Sequence, residues 1–133
     1  MRKEELMASL KFELGEFPQG YFLAWEVATQ CYNMVNVSLE AGDMVYFSAD
    51  KNNRNCNLQQ ISQSSREHTV NAVPVLTITV NESPLLKQSF TSGAVTDQKS
   101  KKIGYSYSFC IEDSTDDEYN DVYINIVGWE KKA

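Results

Sequence analysis

Ten residues near the C-terminus, 112–121, carry a dense cluster of acidic side chains. The segment reads EDSTDDEYND and holds six carboxylates and no basic residue. Carboxylates about 5 Å apart repel by roughly 3 kcal/mol per pair at an effective dielectric constant near 20. A calcium ion removes this repulsion, because it takes about six to eight oxygen ligands from carboxylates, amides and carbonyls. A solvated acidic loop is the alternative interpretation. We favour calcium because the acids run directly into the apolar strand sequence VYINIV.

The types of donor atom in this segment argue against other common metal sites. Zinc prefers sulfur or imidazole, and the one histidine, His68, lies in a different segment. Magnesium takes fewer protein oxygens in a stricter geometry. The spacing of Asp116, Glu118 and Asn120 matches the start of an EF-hand loop. However, no glycine follows in register, and Val127 stands where the last glutamate would be.

The charge of the rest of the chain is balanced. Formal net charge is −6, from 12 basic and 18 acidic residues, and six of those acids lie in 112–121. A nucleic-acid partner is therefore not expected, since phosphate binding needs a basic face. The sequence has no apolar run long enough for membrane insertion and no signal-peptide pattern. We expect a cytoplasmic location, or export without a signal peptide. The three cysteines, Cys31, Cys56 and Cys110, are predicted to be reduced, buried thiols.

Alternation of polar and apolar residues predicts antiparallel β-structure over most of the chain. The clearest cases are 103–111 and 122–127, which the acidic segment would join as a hairpin. Residues 2–9 are predicted to form a short helix. The fold class predicted is all-β, a single antiparallel β-sandwich domain of about eight to nine strands over 1–133. Further strands are predicted at 10–14, 21–28, 34–39, 43–49 and 74–80, while 50–72 and 91–102 are predicted to be long loops or weakly patterned edge strands.

The sequence does not predict an enzyme. His68 has no serine or cysteine motif that would make it a general base, and we expect a surface histidine. Glycoside hydrolysis needs two carboxyl groups facing each other across a cleft, one of them protonated. A contiguous cluster of acids on one turn instead keeps its carboxylates ionised around a cation.

The segment EDSTDDEYND, followed by VYINIVGW, resembles the acidic loop of the soluble bacterial fucose/mannose-binding lectins that use two adjacent calcium ions. Their loop has the form Glu-Asp-Gly-Thr-Asp-Asn-Asp-Tyr-Asn-Asp. The sequence VSLEAGDMVYFSADKNN (37–53) is similar to the strand–turn–strand that leads into the family's sugar loop, and VLTITVNES (75–83) looks like the next strand. Residues 1–34 have no counterpart in this resemblance, and 54–73 read as an insertion. The resemblance implies a β-sandwich that forms homo-oligomers and in which sugar hydroxyls bind both calcium ions.

Carried over residue by residue, the resemblance implies a site of two parts. Glu118 stands where the family has an aspartate that bridges the two ions. The chain also continues past Trp129, whereas in the family the C-terminal carboxylate of a neighbouring subunit completes the site. The predicted function is calcium-dependent binding of a fucose- or mannose-like carbohydrate, and the alternative is a structural or self-assembling sandwich with a calcium-binding turn. The implied metal ligands are Glu112, Asp116, Glu118, Asn120, Asp121 and Asn52, and the implied sugar-binding residues are Asp113, Asn53, Arg54 and Asn55.

Overall fold

The computed structural model describes residues 8–81, 86–112 and 121–132, and these residues form nine strands in two antiparallel sheets. The four-stranded sheet has the order β1-β6-β3-β4, and the five-stranded sheet has the order β5-β2-β9-β8-β7. In this part of the chain no helix is long and apolar enough to span a membrane. The strands are β1 (Ala8–Glu13), β2 (Tyr21–Gln30), β3 (Val35–Ala41), β4 (Met44–Lys51), β5 (Gln59–Glu67), β6 (Val75–Val80), β7 (Lys87–Thr96), β8 (Lys102–Glu112) and β9 (Asp121–Glu130).

The core lies between the two sheets and is built by the predicted alternation. Val122, Ile124 and Ile126 of β9 are at most 1% exposed, and β6 contributes the fully buried Leu76 and Ile78. Side chains at alternate positions of a strand share one face, so each strand places its apolar set inward. Burial of each such side chain contributes about 1.5–3 kcal/mol. The β-sandwich predicted from the sequence is confirmed.

The prediction of an N-terminal helix is wrong for the residues that the structure describes, whereas the prediction for the polar stretches is confirmed in one of its two forms. Residues 8 and 9, at the end of the predicted helix 2–9, lie instead in β1, where they pair with β6; residues 1–7 are outside the described part. The polar stretches 50–72 and 91–102 contain β5 and part of β7, which are the two edges of the five-stranded sheet. The edge-strand form of that prediction is therefore confirmed. Such strands have a weak pattern because much of both faces is exposed.

The predicted hairpins are also present. β3 and β4 pair through a turn at Gly42, whose positive φ of 59° is readily adopted by glycine. β8 and β9 pair along most of their length, from Gly104 opposite Trp129 to Glu112 opposite Asp121. This second pairing brings the two ends of the acidic segment side by side, although residues 113–120 themselves lie outside the described part of the chain.

Candidate functional site

Those predicted site residues that the structure describes lie at one end of the sandwich. In the five-stranded sheet, Asp121 pairs with Gln30 on one side and Glu112 on the other. Across β2, Thr29 pairs with Gln59 at the start of β5. Segment 31–34 connects this sheet to β3, and segment 52–58 returns from β4 to β5. We call this end, with segments 31–34 and 52–58 and the residues that bracket 113–120, the loop end.

Glu112 and Asp121 each have a buried carboxylate oxygen without a partner. Asp121 is 2% exposed, and Glu112 is partly buried. Neither Glu112 Oε1 nor Asp121 Oδ1 has a hydrogen-bond partner among the described residues. A buried acceptor left unpaired costs about 1–3 kcal/mol, and more when it is charged. A cation bound next to these two oxygens would therefore stabilise them.

The second oxygen of Asp121 is held by its own sheet. Tyr123 donates its hydroxyl hydrogen to Asp121 Oδ2 at 3.2 Å, and the Cys110 thiol donates to the same oxygen at 3.5 Å. These bonds fix the orientation of the carboxylate and leave Oδ1 for another partner. A small cavity of about 130 Å³ adjoins the pair and is lined by Lys87, Gln88, Ser89, Cys110, Glu112 and Asp121.

The thiol of Cys110 is sensitive to this charge. Burial raises its pKa, and the negative charges of Asp121 and Glu112 together with the hydrogen bond to Asp121 raise it further, to about 11. The role of Cys110 was not predicted. The sequence could have predicted its position. If Glu112 pairs with Asp121 in an antiparallel hairpin, then Cys110, two residues earlier, pairs with Tyr123, two residues later.

The described residues supply only part of a metal site. Within them, no group of three or more His, Cys, Asp or Glu side chains could hold an ion alone. Four of the predicted residues, Asp113, Asp116, Glu118 and Asn120, fall outside the described part of the chain. The structure therefore places the two carboxylates at the ends of the acidic segment and leaves the intervening ligands as predictions.

Segment 52–58, which holds the other predicted residues, is ordered by its own side chains. Asn53 and Gln59 exchange two amide hydrogen bonds of 3.0 and 3.1 Å. Asn53 Oδ1 also accepts from the backbone N–H of Asn55 at 3.0 Å. Asn52 is exposed. The guanidinium of Arg54 lies 5.4 Å from the centre of the Tyr32 ring, a cation–π contact.

The acidic pair and segment 52–58 are neighbours across the sheet. β5, where this segment ends, is separated from β9 only by β2. Two interstrand spacings amount to about 10 Å. The cavity beside the acidic pair is lined from β7 and β8 rather than from segment 52–58.

His68 lies away from the loop end, and the prediction of a surface histidine is wrong. It is 1% exposed, and its backbone bonds to Gly20 and Tyr21 place it beside the start of β2. Its ring nitrogen Nδ1 and the Tyr46 hydroxyl are hydrogen-bonded to each other. Burial lowers the pKa of His68, and the Ala72 backbone acts in the opposite direction. The histidine is part of the sandwich interior, far from the acidic pair.

The cysteine prediction is confirmed in part. No disulfide joins any of the three cysteines, all of which lie in the described part of the chain. Cys31 is fully buried and Cys110 is partly buried, but Cys56 is exposed in segment 52–58. A thiol in that segment is exposed because the segment contributes its backbone and amide groups, rather than an apolar face, to the fold.

Another depression among the described residues lies away from the acidic pair. It measures about 330 Å³ and lies on the five-stranded sheet between β2, β9 and β8. Its polar side chains include Glu26 and Asn125, and Asn125 Oδ1 accepts from Ser108 at 2.7 Å. None of its lining residues has a buried, unpartnered charged atom of the kind present at Asp121.

Solved structures of several lectins, including the following three, have the same fold. No protein-family model and no curated protein sequence matches the chain. The C-terminal domain of the lectin BC2L-C from Burkholderia cenocepacia matches 95% of this chain and 99% of its own, with a TM-score of 0.61 and 16% identity. The high-affinity mannose-binding lectin of Ralstonia solanacearum matches 92% and 96%, with a TM-score of 0.61 and 14% identity. The lectin CV2L of Chromobacterium violaceum, solved in complex with alpha-methyl-fucoside, matches 86% and 98%, with a TM-score of 0.52 and 16% identity. The predicted resemblance to bacterial fucose/mannose-binding lectins is thus confirmed for the fold.

Proposed function

We propose that this protein is a calcium-dependent, non-catalytic carbohydrate-binding protein whose site is the loop end of the sandwich. The observation that carries the proposal is the pair of buried, unpartnered oxygens of Glu112 and Asp121. They lie at the two ends of the acidic segment in a fold shared with bacterial lectins. The proposal accounts for both the charge cluster and the fold.

The residues present fit a hard divalent cation. Glu112 Oε1 and Asp121 Oδ1 are hard oxygen donors of the kind that calcium prefers, and both lack a partner among the described residues. Asp116, Glu118 and Asn120 would add further oxygens from the intervening residues, and Asn52 would add one from the facing segment. A bound calcium ion would supply open coordination positions for sugar hydroxyls.

The chain's own residues would set the specificity of such a site. Asp113 would accept a hydrogen bond from a sugar hydroxyl. Asn53, Arg54 and Asn55 would form the wall that faces the ion. The sugar class we propose is fucose- or mannose-like, by analogy with the neighbours described as mannose-binding or solved with a fucoside. We extend the proposal to a homo-oligomer, as the resemblance implies.

Affinity chromatography tests this proposal. The protein is passed over immobilised mannose and fucose in calcium, and then in chelator. We expect retention in calcium and elution by chelator. A melting curve that rises with calcium supports the metal site, because the ion would bind only the folded form.

Two other outcomes of the same experiment would change the proposal. A calcium-dependent melting temperature with no sugar retained would favour the alternative, a structural or self-assembling sandwich with a calcium turn. A melting curve that is the same in calcium and in chelator would overturn the metal site itself.

A further inference from the structure

Lys51, at the end of β4, is buried in an unusual way. Its side chain is 1% exposed. The ammonium nitrogen donates to three backbone carbonyl oxygens: Asn53 at 2.6 Å, Asn33 at 3.2 Å and Tyr32 at 3.3 Å. These carbonyls belong to segments 31–34 and 52–58, which form two parts of the loop end.

The three carbonyls satisfy the ammonium completely. A lysine has three N–H donors and no acceptor, so three acceptors use its full hydrogen-bonding capacity. In the described part of the chain no carboxylate forms an ion pair with Lys51; the ion pairs there involve Lys101, Lys102 and Lys131. A buried charge is costly unless its polar partners are fixed in place. The geometry is therefore that of a cation enclosed by backbone oxygens.

The enclosed ammonium can keep the loop end ordered. Hard cations commonly gather backbone carbonyls from separate segments, and such sites lose their shape when the ion leaves. Here the cation is covalently attached to β4 and cannot leave. The Asn53–Gln59 amide pair and the Asn55 backbone bond reinforce the same segment.

We propose that Lys51 is a positioning residue of the candidate sugar site: its ammonium acts as a tethered cation that holds segment 52–58 against segment 31–34, so that this half of the site is ordered without any bound metal. The inference rests on the proposed function of the loop end. A bound metal would then be needed to order the acidic hairpin but not to order segment 52–58.

The first test compares amide hydrogen exchange of the wild-type protein in calcium and in chelator. The reporters are the backbone N–H groups of Asn55 and Asn57, which donate to Asn53 Oδ1 at 3.0 Å and Asn55 Oδ1 at 2.8 Å. We expect their exchange to change by less than about twofold, because their order does not depend on metal. A rise of about tenfold or more in chelator would show that metal orders the segment and would overturn the inference.

The second test uses Lys51→Met, which keeps an unbranched side chain as far as Cε and removes the ammonium with its donors. In metal-free buffer we expect exchange at Asn55 and Asn57 to rise at least about tenfold, since the loss of a hydrogen bond to a charged group shifts a local opening equilibrium by about that factor or more. The control is Lys102→Met, which removes an exposed lysine bonded to Glu16 at 3.0 Å. Wild-type exchange in Lys51→Met would refute the role of the ammonium. If Lys51→Met does not fold, the comparison of wild-type hydrogen exchange in calcium and in chelator still tests whether segment 52–58 is ordered without metal.

A third measurement separates positioning from general stability. At temperatures well below melting, Lys51→Met should lose retention on the sugar column while keeping the calcium-induced rise in melting temperature, because Glu112 and Asp121 lie on other strands. Full retention of sugar by Lys51→Met would overturn the inference and leave the proposed function intact. If the wild type itself retains no sugar, the proposed function fails, and the exchange measurements in metal-free buffer still test whether Lys51 orders the segment.

Discussion

Replacing Asp121 with asparagine should make the protein more stable than the wild type in chelator and less stable than the wild type in calcium. The substitution keeps the shape of a side chain that is 2% exposed and removes its charge. Asp121 faces Glu112 on the neighbouring strand, so the metal-free protein holds two carboxylates at directly paired positions. In chelator we therefore expect Asp121→Asn to be more stable than the wild type, although most substitutions of buried residues destabilise.

The magnitude follows from the pairing. Directly opposed side chains have Cβ atoms about 5 Å apart, and two charges at that distance repel by roughly 3 kcal/mol at an effective dielectric constant near 20. The variant weakens the bonds donated by Tyr123 and Cys110, at a cost of about 1 kcal/mol. A net gain of about 1–2 kcal/mol corresponds to a rise in melting temperature of about 3–8 °C. With calcium at about 100 times its dissociation constant, the wild type gains about 2.7 kcal/mol, and the variant should gain little of it.

The assay is a set of melting curves for wild type, Asp121→Asn and the control Glu26→Gln, each in calcium and in chelator. Glu26 lies on β2 and accepts a hydrogen bond from Gln60 at 3.2 Å, outside the loop end. Glu26→Gln should keep the full calcium response. If Asp121→Asn is less stable than wild type in chelator, the repulsion between the two carboxylates does not outweigh the hydrogen bonds that the variant weakens. If the variant keeps the calcium response, the ion binds elsewhere.

Two further predictions concern titration. Calcium should lower the pKa of Cys110 from about 11, because the ion neutralises two of the charges that raise it. In a Cys56→Ser background, the Cys110 thiol should therefore react faster with an alkylating reagent at pH 9 in calcium than in chelator. Equal rates in the two buffers would contradict this prediction. Burial lowers the pKa of His68 in the folded protein, so its neutral form contributes stability above the unfolded value near 6.5 that is lost as pH falls below it. Denaturant midpoints at pH 7.5 and 5.5 should therefore differ less in His68→Gln than in the wild type.

The parts of the fold that could be predicted are those where one face of a strand is buried. In β8 and β9 the inward side chains, such as Phe109 and Ile124, alternate with polar or small ones, so period-two patterning is visible in the sequence. Once the hairpin is recognised, the register between Glu112 and Asp121 follows. The edge strands β5 and β7 have little such patterning, and the sequence could not separate them from loops.

The features that escaped prediction depend on backbone contacts between distant segments. His68 stands among polar neighbours, and its burial results from pairing with Gly20 and Tyr21, nearly fifty positions earlier in the chain. Lys51 stands in the sequence ADKNN, which is typical of a surface turn. Its burial depends on carbonyls whose directions only the folded backbone defines. No side-chain pattern encodes a carbonyl's direction.

The two halves of the loop end carry opposite charges, and this difference determines which half would bind a metal ion. On one side, Lys51 supplies a fixed positive charge to carbonyl oxygens. On the other, Glu112 and Asp121 present negative charge with two oxygens that have no partner among the described residues. A divalent cation is attracted to the carboxylates and repelled by a neighbouring ammonium. Among the predicted metal ligands, Asn52 directly follows Lys51 in the chain, so it is the one that these charges favour least. The acidic hairpin is where a calcium ion gains most.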